Sequence, residues 1–263
     1  MTDSAKESTL ALLAEQSDRL LHAQVAKIVE GSAAYTPEEI EQVQFWHLAY
    51  SRLADRWFQR AFGAAAGRAL FEQLIRDADA HLQTHALDEL NAEKSAQVRL
   101  GTEIVNMDPG VLTAEQVTGV LRLLVPGFIV YCHHWMVQQF GEEGRAHFDQ
   151  MHSYVQRISV ESKEPSHDFD GLKATLATPD SVMIGFVRRI ESVEEGAVDV
   201  TYLACPNHAT AVRLGLDPDC CSYMCGPEFR LMQDLFGARV ENPENFCGGA
   251  GRCVQRYSDG KAC

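Results

Sequence analysis

The chain has 263 residues, of which 46% are hydrophobic and 23% charged. This is the composition of an ordinary globular protein, and it excludes a disordered, collagen-like or low-complexity chain. The formal net charge is -14 and no run of Lys or Arg occurs. Because such a field repels phosphate groups, we expect no nucleic-acid partner.

The apolar stretches of the sequence indicate neither a secreted protein nor a membrane protein. The apolar run 10–13 is too short for the core of a signal peptide. The longest apolar stretch, 120–130, is broken by Arg122 and Pro126 and falls short of a membrane span. We therefore expect a cytoplasmic protein that acts on a small molecule, without membrane contact, and the sequence leaves a homo-oligomer open.

Residues 1–158 are predicted to form a helical bundle. Two capping boxes, 36–39 and 113–116, each mark a helix start, and apolar residues then recur at three- and four-residue steps. The helix from Ala114 to about Phe140 is the most apolar and contains Pro126, so we expect it to be central and kinked.

Glycines are predicted to interrupt the bundle at two places. Gly63 and Gly67 bracket a break after the first long helix, and Gly141 and Gly144 end the central helix.

The second half of the chain changes character. Residues 159–180 are polar and without period, which predicts a linker or surface loop. Residues 181–263 are predicted to form an α+β module with a small antiparallel sheet, short helices and many cysteines. Its strands are expected at 182–187, 197–203 and 252–257, the first two joined as a hairpin. Helices first and strands later favour an α+β fold.

The cysteines are concentrated at one end of the chain. Seven of the eight lie at or after Cys205, and only Cys132 precedes them. In a chain without a secretory pattern they are expected to stay reduced, so the clustering indicates catalysis or metal binding. Cys132, alone in an apolar helix, is predicted to be a buried packing residue.

Two of the clustered cysteines are followed closely by a proline that can open a helix. Cys205 directly precedes Pro206, and one glycine separates Cys225 from Pro227. Proline is favoured at the first helical position, which places both thiols at helix N-termini. The positive end of a helix dipole favours the thiolate form, so we predict Cys205 or Cys225 as a nucleophile.

A base and an acid lie within one helical turn of these thiols. His208 follows Cys205 by three residues, and Glu228 follows Cys225 by three. Residues at this spacing share one side of a helix. We predict His208 as the general base and Glu228 as the orienting or acid group.

Three motifs carry a resemblance to a known family. They are the Cys-Pro pair at 205–206, Cys225 with Glu228 at a helix start, and 251–253 leading into a last strand. With them, the segment 202–257 resembles the C-terminal module of the L-2-amino-thiazoline-4-carboxylate hydrolase-like family. The resemblance implies a hydrolase that adds water to the C=N carbon of a cyclic amidine through a cysteine-based site.

The same cysteines also suit a metal. Residues 247–253 bring two thiols together across a glycine-rich turn, and the chain also resembles vinyl-reductase-type ligand-binding domains. That alternative implies a non-enzymatic ligand-sensing or metal-binding domain that holds zinc or an iron–sulfur cluster. Its candidate ligands are Cys221, Cys225, Glu228, Cys247 and Cys253.

Histidines in the helical half are predicted to have structural roles. Asp77 and His81 begin a polar stripe at four-residue steps, which is typical of a solvent-facing helix surface. His133 and His134 are neighbours in the apolar helix, and their side chains point about 100° apart. We expect a core or interface role for either.

Overall fold

The computed structural model describes residues 37–85, 114–161, 168–177 and 187–260. Its elements in chain order are α1 (Pro37–Phe62), α2 (Ala64–His85), α3 (Ala114–Phe140), α4 (Glu142–Glu161), α5 (Phe169–Ala177), β1 (Val187–Glu194), β2 (Ala197–Ala204), α6 (Pro206–Arg213), a π-helix (Cys221–Cys225), α7 (Gly226–Phe236), β3 (Ala238–Glu244) and β4 (Cys253–Asp259). Long helices followed by one small antiparallel sheet confirm the predicted α+β class.

The described residues group into two compact units. The helical unit comprises 37–85, 114–158 and 206–224. The sheet unit comprises 159–161, 168–177, 187–205 and 225–260. Residues 206–224, which the sequence places in the C-terminal module, therefore group with the helices, and α6 packs on α3.

The core of the helical unit is rich in aromatic side chains that are fully buried. Phe58, Phe128 and Phe148 each have none of their surface exposed, and Leu74 and Met136 are buried with them. The helices begin where the capping boxes predict, at Pro37 and Ala114. α3 continues through Pro126.

The four glycines of the bundle have two different roles. Gly63 and Gly141 have positive φ values of 87° and 62° and make the turns after α1 and α3. Gly67 and Gly144 lie inside helices instead of breaking them. A Cβ at Gly67 would collide with the carbonyl oxygen of Phe58, so this glycine allows two backbones to approach closely.

The sheet unit contains a four-stranded antiparallel sheet in the order β1-β2-β4-β3. The predicted hairpin is confirmed, with β1 ending at Glu194 and β2 starting at Ala197. β1 itself lies later than the predicted strand at 182–187, whose residues before Val187 lie outside the described part. β3 was not predicted, since it is an edge strand and contains Pro243.

α5 lies within the segment predicted as a linker. The Asp168 side chain accepts a hydrogen bond from the Gly171 backbone N–H at 2.8 Å, which caps the helix. Phe169, Leu172 and Leu176 are then buried in the core of the sheet unit with Val200 and neighbouring side chains. A helix of only nine residues has too few turns for its period to be read from the sequence.

Among the described residues, no helix is long and apolar enough to cross a membrane.

Candidate metal centre

The segment after β2 forms a short helix and then reverses direction. α6 begins at Pro206, as predicted, and ends at Arg213. The N–H of Leu216 bonds to the Ala211 carbonyl at 2.9 Å and that of Gly215 to the Val212 carbonyl at 3.1 Å. These two bonds, with Gly215 at a φ of 64°, form a Schellman motif. The chain is thereby turned back toward the first turn of α6.

Side chains from the helical unit hold this returning segment in place. The ring of Tyr223 stacks on His133 with 3.6 Å between centroids and 2° between planes. His81 Nε2 lies 3.0 Å from the Leu214 carbonyl oxygen and donates to it. The solvent-facing role predicted for His81 is therefore wrong, because its ring is half-buried and bonded to the returning segment. His133 has the predicted packing role.

His208 is oriented by a hydrogen bond to the same segment. Its Nδ1 lies 3.0 Å from the carbonyl oxygen of Pro218, and because a carbonyl can only accept, Nδ1 is the donor. In the neutral ring the lone pair is then on Nε2. Metal-binding histidines are usually fixed by such a hydrogen bond from the other ring nitrogen to a carbonyl or carboxylate.

Two side chains of the helical unit bring metal-ligating atoms together here, and they form the donor group of this site. One atom each from His208 and Cys220 lies within 4.8 Å of the other. Cys220 is buried, and His208 is half-buried. An imidazole and a thiol at this distance could be two of the ligands of a metal ion.

The position of Cys220 is set by local structure on both sides. Before it, the Asp219 backbone N–H bonds to the Asp217 side chain at 3.0 Å. After it, the Ser222 hydroxyl donates to the Asp219 carbonyl at 2.9 Å. Cys220 then leads directly into the π-helix, a rare form that occurs frequently at functional sites.

Cys205 and Cys225, the two predicted nucleophiles, differ in their surroundings. Cys205 is half-buried and directly precedes α6. Cys225 is at the N-cap of α7, but its backbone is helical and its thiol makes no capping hydrogen bond. Because the π-helix Cys221–Cys225 runs straight into α7, Cys225 lies within a continuous helical stretch. Its nucleophilic role stays a prediction.

Glu228 lies in the first turn of α7, near the half-buried Tyr202 and the buried Tyr257. Desolvation raises the pKa of Tyr202 and raises that of Tyr257 well above its usual range, and the charge of Glu228 adds to both shifts. Both phenols are therefore protonated at neutral pH. Glu228 does not belong to the donor group, and its acid role also stays a prediction.

The four cysteines predicted as metal ligands, Cys221, Cys225, Cys247 and Cys253, stay predictions in that role. Cys253 is buried in β4, where its sulfur lies 3.4 Å from the Asn242 side-chain amide and accepts from Gln255 Nε2 at 3.6 Å. Cys221 is half-buried next to Cys220, outside the group. The two residues of the donor group, His208 as a ligand and Cys220, were missed by sequence reasoning.

Comparison of the chain with family models, with curated proteins and with solved structures gives no match. The resemblance to the thiazoline-carboxylate hydrolase-like family is therefore an expectation from the motifs alone. The metal-donor group is the structural feature from which a function can be argued.

Proposed function

We propose that this chain is a zinc-dependent hydrolase of small molecules, with His208 and Cys220 among the zinc ligands. The observation that carries the proposal is an imidazole and a buried thiol of the same compact unit whose donor atoms lie within 4.8 Å of each other. Zinc takes this mixture of nitrogen and sulfur ligands. Iron–sulfur clusters are held mainly by four thiolates, so an imidazole donor favours zinc.

Hydrolysis requires a zinc site that keeps one coordination position for water or substrate, as catalytic zinc sites do. Zinc lowers the pKa of a bound water to about 7 and so would supply a nucleophile at neutral pH.

The substrate class follows from the resemblance in the C-terminal segment. In hydrolysis of a cyclic amidine, the water oxygen bonds to the C=N carbon and one ring bond of that carbon then breaks. The departing ring atom takes a proton, so that one water is added overall. Glu228 is the predicted proton donor, as a carboxylic acid can serve in this role.

Metal analysis of the protein as purified tests the site. We expect zinc near one equivalent, lost in His208→Ala and in Cys220→Ser. Cys221→Ser is the matched control, since Cys221 adjoins Cys220 but is not in the donor group. Folded protein without zinc, or equal zinc loss in the control, would contradict the proposal.

Cobalt substitution tests the open position. Cobalt bound to thiolates in a tetrahedral site has strong visible absorption, and we expect added cyanide to change that spectrum by occupying the fourth position. A spectrum insensitive to cyanide would indicate a closed, structural site. Turnover of an aminothiazoline carboxylate, followed by mass spectrometry, then separates a hydrolase from a ligand-sensing domain.

A further inference from the structure

The carbonyl group of Pro218 orients His208, because it accepts the hydrogen bond from the His208 Nδ1–H at 3.0 Å. A carbonyl and the N–H of the next residue belong to one planar peptide group, so the Pro218 carbonyl turns together with the Asp219 N–H. This N–H donates to Oδ1 of Asp217 at 3.0 Å. The carboxylate of Asp217 therefore fixes the direction of the carbonyl to which the His208 ring is bonded.

Tyr223 holds the peptide group that joins Asp217 to Pro218. Its hydroxyl donates to the Asp217 carbonyl at 3.1 Å. The pyrrolidine ring of a proline fixes its φ, so only one soft dihedral, ψ of Pro218, separates this peptide group from the one that bonds to His208. The peptide groups on both sides of Pro218 are thus each held by a side chain.

Tyr223 is itself anchored to the core of the helical unit. Its ring stacks on His133 with 3.6 Å between centroids and lies edge-on to Phe148 with 5.7 Å between centroids. His133 is 4% exposed and Phe148 is fully buried. The exposed segment 217–219 is therefore tied through one phenol to buried residues of α3 and α4.

We infer that Asp217 and Tyr223 are positioning residues of the candidate metal centre. They hold His208 with the proton on Nδ1 and the lone pair on Nε2, and so raise its affinity for zinc. Groups bonded to metal ligands commonly contribute about 10- to 100-fold to metal affinity. The affinity part rests on the proposed function, whereas the orientation and tautomer of the ring do not.

NMR of nitrogen-labelled, zinc-free protein at pH 8 measures the tautomer of His208, with His208→Ala assigning its signals. We expect the wild type to hold the Nδ1–H tautomer, and Asp217→Ala and Tyr223→Phe to give a mixture of both tautomers. Asp217→Asn keeps an oxygen that accepts from the Asp219 N–H, so it should match the wild type. Tyr223→Phe keeps the ring that stacks on His133, and its unfolding temperature should be close to that of the wild type.

Competition with a chromophoric chelator measures the affinity for zinc. Asp217→Ala and Tyr223→Phe should each bind zinc about tenfold more weakly than the wild type, because each acts on the ligand through the Pro218 carbonyl. Asp219→Ala is the matched control, since it removes the same charge from an exposed neighbouring side chain that makes none of these bonds. It should bind zinc as the wild type does, and so should Asp217→Asn. Equal weakening in both controls would assign the effect to charge and contradict the inference.

The outcomes separate the two proposals. If the protein binds no zinc but the tautomers mix in Asp217→Ala and Tyr223→Phe, the proposed function fails and the orientation of His208 by these two residues stands. If the wild type binds zinc and both variants keep one tautomer and full affinity, the inference is overturned. A wild type that already contains both tautomers overturns it as well.

Discussion

Acid should destabilise the helical unit through His47, and the size of the effect follows from its burial. His47 is 5% exposed, and neither ring nitrogen has a hydrogen-bond partner among the described residues. Phe128 packs edge-on against the ring with 5.4 Å between centroids. Desolvation lowers the pKa of His47 from 6.5 to about 4.

The sign of the pH dependence is fixed by this lowered pKa. Above pH 6.5 the imidazole is neutral in both states and contributes no pH dependence. Between pH 6.5 and 4 the unfolded chain binds a proton that the folded chain does not. The free energy of unfolding therefore decreases as the pH is lowered through this range. One pKa unit corresponds to 1.36 kcal/mol, so the loss between pH 7.5 and 5.0 is about 2 kcal/mol.

Urea unfolding of the wild type and His47→Leu at pH 7.5 and 5.0 measures this loss. Leucine fills a similar volume without polar atoms, so we expect the variant to be as stable as the wild type or more so at pH 7.5. At pH 5.0 its advantage should grow by about 2 kcal/mol, or roughly 0.7–1 M in the urea midpoint. Met151→Leu, a change at another buried site, should leave the pH dependence unaltered. Equal pH dependence in wild type and His47→Leu would refute the reasoning.

Three further substitutions test packing at single sites by thermal or urea unfolding. Gly67→Ala should lower the free energy of unfolding by about 1–3 kcal/mol, because the added Cβ would meet the Phe58 backbone. An unchanged stability would contradict the close approach of the two segments. Cys132→Ser should also lower the free energy of unfolding by about 1–3 kcal/mol, since it places a hydroxyl at a fully buried position. No loss of stability would mean that the hydroxyl finds a hydrogen-bond partner. Tyr257→Phe should lower the free energy of unfolding by about 1–2 kcal/mol, because the phenol donates a hydrogen bond to Gln255 Oε1 at 2.5 Å. An unchanged stability would show that Gln255 Oε1 accepts a hydrogen bond from another donor.

The parts of the fold that were predictable depend on short stretches of sequence. The starts of α1 and α3 follow from capping boxes at Pro37 and Ala114, and the β1–β2 hairpin follows from the turn at Gly196. β3 was missed because an edge strand with Pro243 lacks the usual strand pattern. The roles of Gly67 and Gly144 could not be predicted, since close backbone approach depends on which helices pack together.

The candidate metal centre was less predictable, because its two donors are not part of one regular helix or strand. His208 and Cys220 lie twelve positions apart and are placed by the Schellman motif at Gly215 and the bond to Pro218. A glycine two residues after Arg213 is a recognisable helix stop, but it does not reveal where the chain goes next. The clustering of cysteines did indicate the part of the chain that contains Cys220.

The nucleophile is the remaining mechanistic question, and Cys225→Ser and Cys205→Ser answer it. If a metal-bound water attacks the substrate, neither the Cys205 thiol nor the Cys225 thiol takes part in the attack. Both variants should then retain zinc and at least a third of wild-type turnover. If a thiol is the nucleophile, one variant should lose turnover by a thousandfold or more while its zinc content and unfolding temperature stay the same. Measuring turnover, zinc and unfolding temperature on the same preparations separates the two mechanisms. Loss of turnover without loss of zinc at either position would reject the metal-bound water and retain the cysteine mechanism that the sequence motifs predict.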